Sequence, residues 1–197
     1  MEFLFIAVIS YLIGSFCASI PLSKTFCGSD VRGFGSGNAG ATNVARVFGM
    51  RAGLVTLLLD MAKTLLSMSI GNALGGELGM ALAGTFCVIG HCFPLYFGFK
   101  GGKGVSVGAA LALACGWQVF LGVIAVFLCV AVLSRKVSLG SVTASLCLPA
   151  AAAAFSCSPE LITMAGFAAL LVVFMHRSNI KRLISGKEPD FKPGKSV

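Results

Sequence analysis

Residues 3–22, FLFIAVISYLIGSFCASIPL, form a predominantly apolar run without a single charged side chain. A run of about 20 apolar residues is long enough to cross a bilayer as an α-helix. No basic segment precedes it and no clear small-residue cleavage site follows it, so we interpret it as a retained span rather than a removed signal peptide. This stretch therefore predicts an integral membrane protein.

The rest of the chain is also rich in apolar residues and poor in charged ones. Its 197 residues are 57% hydrophobic and only 11% charged, whereas soluble domains carry about 25% charged residues. We predict an all-α, polytopic helical bundle that forms one domain over residues 1–197, with about seven transmembrane helices. The predicted spans are residues 3–23, 52–70, 78–97, 105–115, 117–134, 142–156 and 160–176. The fourth and sixth are short, and Pro149 interrupts the sixth, so five spans are the alternative if those two are re-entrant.

The distribution of basic residues predicts how this bundle is oriented in the membrane. All but one of the 15 lysines and arginines fall on one side of the predicted membrane. That side comprises loops 24–51, 98–104 and 135–141 and the tail from Arg177. The other side carries only Glu2, Glu77 and Glu160. Because basic loops stay in the cytoplasm, we predict an outside N-terminus and a cytoplasmic C-terminus. The net charge of +8 then fits lipid headgroups as partners, and without a basic domain no nucleic acid is expected.

A glycine-rich polar segment on the cytoplasmic side, GSGNAGATNVAR at residues 35–46, predicts an anion site. Glycines let backbone N–H groups approach a ligand, and an arginine offers a fork of donors suited to phosphate. The segment contains G-x-G-x-x-G, but a dinucleotide-binding fold needs a strand before it and a βαβ unit around it. Apolar helices flank it instead, so we reject that interpretation. The candidate ligand residues are Ser36, Asn38, Asn43 and Arg46.

A second such segment, GFKGGKG at residues 98–104, resembles a P-loop. It lacks one residue between the glycines, and Gly104 stands where the Mg²⁺-binding Ser or Thr would be, so ATP hydrolysis is not expected. Phosphate held by backbone N–H groups at the start of the fourth helix fits better, with Lys103 as the counter-charge. Lys100 is interpreted as a positive-inside anchor.

Two histidines lie at predicted span ends. His176 has Asn179 one turn further on, so both share a face if the helix continues, and we place them in the site. His91 is interpreted as a structural hydrogen-bonding residue. Asp60 and Lys63 lie three residues apart within a span, where ionisable groups face interior partners. We interpret them as an internal pair beneath the site, with a proton pathway as the rarer alternative.

The eight cysteines are dispersed and no C-x-x-C occurs, so neither a metal site nor a disulfide is expected, and no cofactor is predicted. A buried cysteine otherwise behaves as a small apolar residue.

Taken together, the motifs resemble those of the bacterial acylphosphate-dependent glycerol-3-phosphate acyltransferases. The resemblance covers nearly the whole chain, and the motifs occur in the family's order and spacing. It rests on the segment 35–46, on Gly90-His-Cys-Phe-Pro94 with residues 99–105, on Ser138-Leu-Gly-Ser141, and on residues 176–182 with Gly186 and Glu188.

The resemblance implies an integral enzyme of the bacterial plasma (inner) membrane with its site on the cytoplasmic face. It would move a fatty acyl group from acyl phosphate to the 1-hydroxyl of sn-glycerol 3-phosphate, giving lysophosphatidic acid and inorganic phosphate in the first step of phospholipid synthesis. Both substrates carry a phosphate, which suits two basic glycine-rich loops. The sequence leaves the oligomeric state open, a monomer included.

We assign roles as hypotheses, with Ser36, Arg46, Lys103 and His176 as the catalytic set. Ser36, Asn38, Asn43 and Arg46 would hold glycerol phosphate. Lys103 and the backbone of Gly101, Gly102 and Gly104 would neutralise phosphate charge. Ser141 would add a hydrogen bond, and His176 and Asn179 would close the pocket. The proton acceptor is either His176 or a substrate phosphate oxygen.

Two other classes of protein compete with this interpretation. A transporter for an anionic metabolite shares the spans, but transporters place substrate near the midplane and often show inverted repeats, whereas the polar groups here gather at one face. An acyltransferase of the His-x4-Asp type would use a thioester. The residues five positions after His91 and His176 are Tyr96 and Lys181, so that signature is missing.

Overall fold

The computed structural model describes residues 1–194, apart from the side chains of Phe26 and Cys27. Lys195, one of the predicted cytoplasmic charges, and the Cys27 thiol lie outside that description. The described residues form helices and connecting turns without a strand. The helices are α1 (Glu2–Ser15), α2 (Ser19–Cys27), α3 (Ala41–Phe48), α4 (Met50–Cys92), α5 (Val105–Cys115), α6 (Trp117–Ser134), α7 (Val137–Ala154), α8 (Pro159–Met175) and α9 (Arg177–Ile184).

Helix α4 is a hairpin with two antiparallel limbs, residues 50–74 and 77–92. Gly75 and Gly76 leave helical geometry, and Gly76 has a φ of 60°, a conformation that glycine adopts without a steric penalty. Next to the turn, a Cβ atom on Gly71 would collide with the Gly79 carbonyl oxygen. Small residues therefore let the two limbs pack backbone to backbone, as is common between membrane helices.

Helix α1 packs along this hairpin through a similar seam. A Cβ on Gly14 would overlap the backbone of Cys87, and one on Gly90 would overlap the carbonyl oxygen of Tyr11. The Tyr11 hydroxyl donates a 2.9 Å hydrogen bond to the Phe93 carbonyl. Glycines on both helices thus fix the position of α1 against the C-terminal limb of α4, which carries His91.

Helices α5 to α8 form the second half of the bundle. Their shared core contains Val107 and Leu111 from α5, Val119 from α6, Leu148 from α7 and Met164 from α8, all nearly inaccessible. Met68 and Val88 of the hairpin join the same core. One apolar core therefore joins the hairpin to helices α5 to α8.

Four helical stretches among residues 1–194 are long and apolar enough to cross a membrane, and α8 with α9, bent by 61°, gives a fifth. The four are Glu2–Thr25, Met50–Phe97, Trp117–Ser134 and Val137–Ala154. Met50–Phe97 contains both limbs of the hairpin, and α5 has only 11 residues. The helical membrane bundle is thus confirmed, while the number of crossings and the orientation stay predictions.

The first predicted span, residues 3–23, falls within the span-length stretch Glu2–Thr25, although the chain leaves helical geometry at Phe16. The predicted bounds of the sixth span were wrong. The sixth span is not short, since α7 begins at Val137 and has 18 residues. Pro149 does not interrupt it, because the helix continues through the proline to Ala154. The polar residues Ser138 and Ser141 made the first turns of α7 resemble a loop.

Candidate active site

The first glycine-rich loop is organised by Asn43, which α3 holds in a buried position. Its Oδ1 accepts a 2.8 Å hydrogen bond from the Ser36 N–H. Its Nδ2 lies 3.0 to 3.2 Å from the carbonyl oxygens of Val31, Phe34 and Asn38. The amide of Asn43 is therefore fully engaged with the loop backbone. We had expected it to hold glycerol phosphate, but the geometry makes it a support for the loop that carries the exposed Ser36.

Asn38 joins this loop to the second glycine-rich loop. Its Nδ2 donates a 3.2 Å hydrogen bond to the Gly101 carbonyl, and its Oδ1 accepts one of 2.9 Å from the Gly40 N–H. Arg32 adds a second link through its guanidinium, which donates to the carbonyls of Phe97 and Lys100 at 2.9 and 3.3 Å. The two loops therefore form one surface, although Asn38 and Gly101 are 63 residues apart in sequence.

The second glycine-rich loop folds back onto the end of α4. The N–H groups of Gly101 and Gly102 donate to the carbonyls of Cys92 and His91 at 3.3 and 3.0 Å, which satisfies carbonyls that a helix end leaves free. A Cβ on Gly102 would collide with the His91 ring. We had expected both N–H groups to bind phosphate. The free donors are instead those of the first turn of α5, where Gly104 adopts a φ of 84°.

Beneath this loop lies a buried group that we call the inner cluster: Asp60, Lys63, His91 and Ser106. The Lys63 ammonium lies 3.1 Å from both Asp60 Oδ1 and His91 Nδ1. It also donates to the carbonyls of Gly14 and Phe16 at 3.0 and 2.7 Å, which caps the end of α1.

Ser106 completes the inner cluster by donating a 2.9 Å hydrogen bond to Asp60 Oδ2. The cluster therefore ties α1, α4 and α5 together at one point. The prediction of an internal Asp60–Lys63 pair is confirmed, and His91 has the structural surroundings that we expected.

Above the loop lies a second group that we call the outer cluster: Lys103, Ser138, Asn179, Arg182 and Glu188. Lys103 Nζ donates to Asn179 Oδ1. Glu188 Oε1 accepts hydrogen bonds of 2.6 Å from both Ser138 and Asn179, and its Oε2 accepts one of 2.7 Å from Arg182. Residues from the starts of α5 and α7, from α9 and from the tail thus meet in one place.

The electrostatics of the outer cluster favour an anion. Burial, assisted by the nearby charge of Arg182, lowers the pKa of Lys103 to about 8. Burial alone would raise the pKa of Glu188, but its hydrogen bonds from Ser138, Asn179 and Arg182 outweigh this, so its pKa lies below its ordinary value. The cluster therefore contains two cations, Lys103 and Arg182, and one carboxylate. Arg46, whose charge also reaches Lys103, adds a third.

His176 sits at the bend between α8 and α9 and is only 3% exposed. Its Nδ1 lies 2.8 Å from the Val172 carbonyl oxygen. A carbonyl only accepts, so Nδ1 carries the proton and Nε2 is left with a free lone pair. The charges of Lys103 and Glu188 both act electrostatically on the ring. Its geometry therefore suits a proton acceptor.

Arg46, Lys103, His176 and Asn179 meet at one end of the bundle. Ser141 lies one turn after Ser138 on the same face of α7, and its hydroxyl donates to the Val137 carbonyl at 2.9 Å. Sequence reasoning left Ser138, Arg182 and Glu188 out of the site. The available signal was Glu188, which with Asp190 is one of two carboxylates in a strongly basic tail. Among the described residues, no group of three His, Cys, Asp or Glu side chains could hold a metal ion.

The tail crosses this end of the bundle after Glu188. Asp190 forms a 2.6 Å ion pair with Lys136, and the Phe191 N–H donates to the Arg135 carbonyl at 3.0 Å. The Arg46 guanidinium lies 6.0 Å from the centroid of the Phe191 ring. The tail therefore bridges α7 and α3 beside the outer cluster.

Known proteins resemble this chain in sequence and fold. The family model described as glycerol-3-phosphate acyltransferase matches residues 4–186. A glycerol-3-phosphate acyltransferase of Maricaulis maris (strain MCS10) is 41% identical over 180 residues, covering 91% of this chain and 82% of that protein. One from Chlorobaculum tepidum is 38% identical, covering 95% of this chain and 96% of that protein.

Two solved structures of a glycerol 3-phosphate acyltransferase also resemble this chain. A crystal structure of PlsY (YgiH), an integral membrane glycerol 3-phosphate acyltransferase, in its glycerol 3-phosphate form has a TM-score of 0.91 and 34% identity, covering 98% of this chain and 96% of that one. Its lysophosphatidic acid form has a TM-score of 0.89. Fold and site together define an integral membrane enzyme that transfers acyl groups. The chain belongs to the glycerol-3-phosphate acyltransferase family.

Proposed function

We propose that this enzyme transfers a fatty acyl group from acyl phosphate to the 1-hydroxyl of glycerol 3-phosphate. The products would be lysophosphatidic acid and inorganic phosphate. The acceptor and the product are supported by the names of the relatives and by the two ligand forms of the PlsY structures. The acyl phosphate donor is supported by the positive charge of the site, since such a donor brings a second phosphate group.

The observation that carries the proposal is the excess of cations over carboxylates in the outer cluster, where Arg182 binds the single carboxylate of Glu188 and Lys103 is linked to it through Asn179. Surplus positive charge in a partly dehydrated site binds a phosphate dianion more strongly than the same charge in water. The first turn of α5 adds N–H donors and the positive end of its dipole. We assign Arg46 and Ser36 to the glycerol phosphate, and Lys103 to the charge that develops on the leaving phosphate.

The reaction needs little covalent help from the protein, because acyl phosphate is a mixed anhydride with a good leaving group. The 1-hydroxyl oxygen attacks the acyl carbonyl carbon, the carbon–oxygen bond to phosphate breaks, and phosphate leaves with that electron pair. The hydroxyl proton passes either to His176 Nε2 or to a phosphate oxygen. In both cases catalysis comes mainly from positioning the two substrates and from stabilising negative charge.

The position of the site suits a lipid product. We propose that it faces the cytoplasm of a bacterial inner membrane, because the basic loops that form it would be retained there. A site at a helix end near the membrane surface leaves the acyl chain in the bilayer while the phosphates stay in the polar region.

The direct test is an assay of purified protein in detergent with acyl phosphate and glycerol 3-phosphate, measuring released phosphate and lysophosphatidic acid. Acyl thioester donors are tested in parallel. We expect turnover with acyl phosphate alone, and activity with thioesters only would refute the donor assignment.

The pH–rate profile of His176→Ala separates the two proton acceptors. Near-wild-type turnover would remove His176 as the base and leave the substrate phosphate. A large loss that is relieved at high pH would identify His176 as the base.

A further inference from the structure

Two of the dispersed cysteines come together at the end of the bundle opposite the active site. Cys115 is the last residue of α5, and Cys157 lies in the connection between α7 and α8. Although 42 residues separate them, the Cys157 thiol donates to the Cys115 carbonyl oxygen at 3.3 Å. Both side chains are free thiols.

The backbone around this pair is held tightly. The Cys157 N–H donates to the Ala152 carbonyl at 3.0 Å, and the Gly116 N–H donates to the Leu113 carbonyl at 3.1 Å. Both cysteine side chains pack against the main apolar core and are only partly exposed. The fold itself therefore holds the Cys157 sulfur against the Cys115 backbone at the edge of the core.

This end of the bundle lies in a different compartment from the active site if the predicted orientation holds. The connections at residue 116 and at residues 155–158 contain no lysine or arginine, which places them outside the cytoplasm. Extracytoplasmic compartments are oxidising and allow disulfides to persist. Cys17 and Cys92 are instead buried beside the active-site loop, at the predicted cytoplasmic end.

We propose that Cys115 and Cys157 are an oxidisable pair that forms a disulfide on the extracytoplasmic side. The two thiols lose two protons and two electrons as the bond between their sulfur atoms forms. A disulfide of an exchange partner accepts the electrons and is reduced to two thiols. The bond would link the α5–α6 turn to the α7–α8 connection and close a loop around the α6–α7 hairpin. This proposal rests on the predicted orientation but not on the proposed reaction.

The test is made on the full chain, in membranes alkylated at the moment of harvest. Mass spectrometry should find a linked peptide pair containing Cys115 and Cys157, and two fewer alkylated thiols than the eight cysteines of the sequence. The link should disappear in Cys115→Ala and in Cys157→Ala and persist in Cys129→Ala. Free thiols at both positions in the harvested wild type would overturn the proposal.

Thermal unfolding in detergent provides a second measurement. A disulfide that closes a long loop should raise the apparent Tm by about 5 °C, and reductant should abolish this increase. Cys157→Ala should have the lower Tm and show no response to reductant, whereas Cys129→Ala should respond like the wild type. A wild-type Tm that reductant leaves unchanged would contradict the proposal.

A charged, membrane-impermeant maleimide separates the orientation from the chemistry. Applied to intact cells after reduction, it should label Cys115 and Cys157 from outside. If the maleimide labels neither thiol, the predicted orientation is wrong, and the proposal of an extracytoplasmic disulfide is overturned. Acyl transfer, measured on the same preparations, should be unchanged in both alanine variants, so the failure of this proposal would leave the proposed function standing.

Discussion

The inner and outer clusters are both polar, both partly or fully buried, and lie on opposite sides of one glycine-rich loop, yet they are balanced differently. In the inner cluster, Lys63 faces Asp60, and its remaining donors are taken by backbone carbonyls of α1. In the outer cluster, Arg182 binds the single carboxylate of Glu188, and Lys103 reaches it only through Asn179. The first cluster balances one carboxylate with one ammonium, and the second is left with positive charge.

This difference in charge balance distinguishes a cluster that supports the fold from a cluster that binds a ligand. Burying a charge is expensive, so a cluster that is fully paired inside the protein serves to fix positions rather than to attract a ligand. A cluster with surplus charge is stabilised when an anion arrives. The comparison therefore predicts that changes in the inner cluster reduce stability first, whereas changes in the outer cluster reduce activity at unchanged stability.

Lys63→Met should have the largest effect in free energy. It leaves the Asp60 carboxylate buried without its cation and removes the cap from the end of α1, which should lower the free energy of unfolding by about 3–5 kcal/mol. Thermal or chemical unfolding in detergent measures the loss. The double variant with Asp60→Asn should regain part of the stability because no buried charge remains. Equal stability of the single variant and the wild type would show that the inner cluster is not a support.

Lys103→Met should lower kcat/KM by about 10²–10³-fold with little change in Tm, because it removes a preorganised charge from the phosphate site. Lys100→Met is the matched control, since Lys100 lies in the same loop but is exposed. The control should change activity less than about twofold. Similar losses in the two variants would mean that the general charge of the loop, rather than the outer cluster, binds the substrate.

Gly102→Ala tests the connection between the clusters. Its Cβ would collide with the His91 ring, which the inner cluster holds in place, so the loop and Lys103 must shift. Since a displacement of about 1 Å can cost about 10²-fold in rate, we expect a loss of about 10- to 100-fold. Gly108→Ala is the control, because a Cβ there meets nothing within 4 Å. Full activity of Gly102→Ala would show that the two clusters are independent.

These glycines also show where sequence reasoning stopped. The pattern around Gly101 and Gly102 correctly indicated a close approach of backbone, but the sequence suggested a ligand where the fold supplies the end of α4. That partner lies about ten residues away and becomes visible only once the chain turns back on itself. The Asp60–Lys63 pair was predictable because its members are three residues apart on one helix, whereas the contacts of Lys63 with Gly14 and Phe16 depend on how α1 packs.

The helical bundle and the convergence of the basic loops followed from hydropathy and charge, which are sums over many residues. The role of Asn43 did not, because an asparagine that binds a ligand and one that binds loop carbonyls have the same sequence signature. Glu188, Arg182 and Ser138 were missed for a related reason. Their association joins the tail to the start of α7, and no local periodicity records that contact.

The pH dependence of substrate binding should report on the outer cluster alone. Burial lowers the pKa of Lys103 to about 8, so its charge is present below that pH and is lost as the pH rises through it. The KM for acyl phosphate, whose phosphate Lys103 is assigned to, should therefore rise up to about tenfold per pH unit above pH 8, and binding there should take up a proton.

Calorimetry in two buffers of different ionisation enthalpy measures that proton. Lys103→Arg should remove the dependence between pH 8 and 10, because arginine stays charged. A KM that is constant in the wild type over this range would mean that Lys103 does not bind the substrate phosphate.

Phe191→Ala should have the smallest effect and concerns the edge of the outer cluster. The ring lies against the guanidinium of Arg46, and such a contact contributes about 0.5–1 kcal/mol. If the ring holds Arg46 ready for phosphate, its loss should raise the KM for glycerol 3-phosphate about two- to fivefold at nearly constant kcat, and Phe191→Tyr should restore it.

The opposite result would be equally informative. A lower KM in Phe191→Ala would mean that the ring competes with phosphate for Arg46, so that the tail occupies the binding position in the empty enzyme. The sign of this small change therefore decides whether residues 187–194, which cross from α7 to α3, complete the binding surface or must move aside before substrate enters.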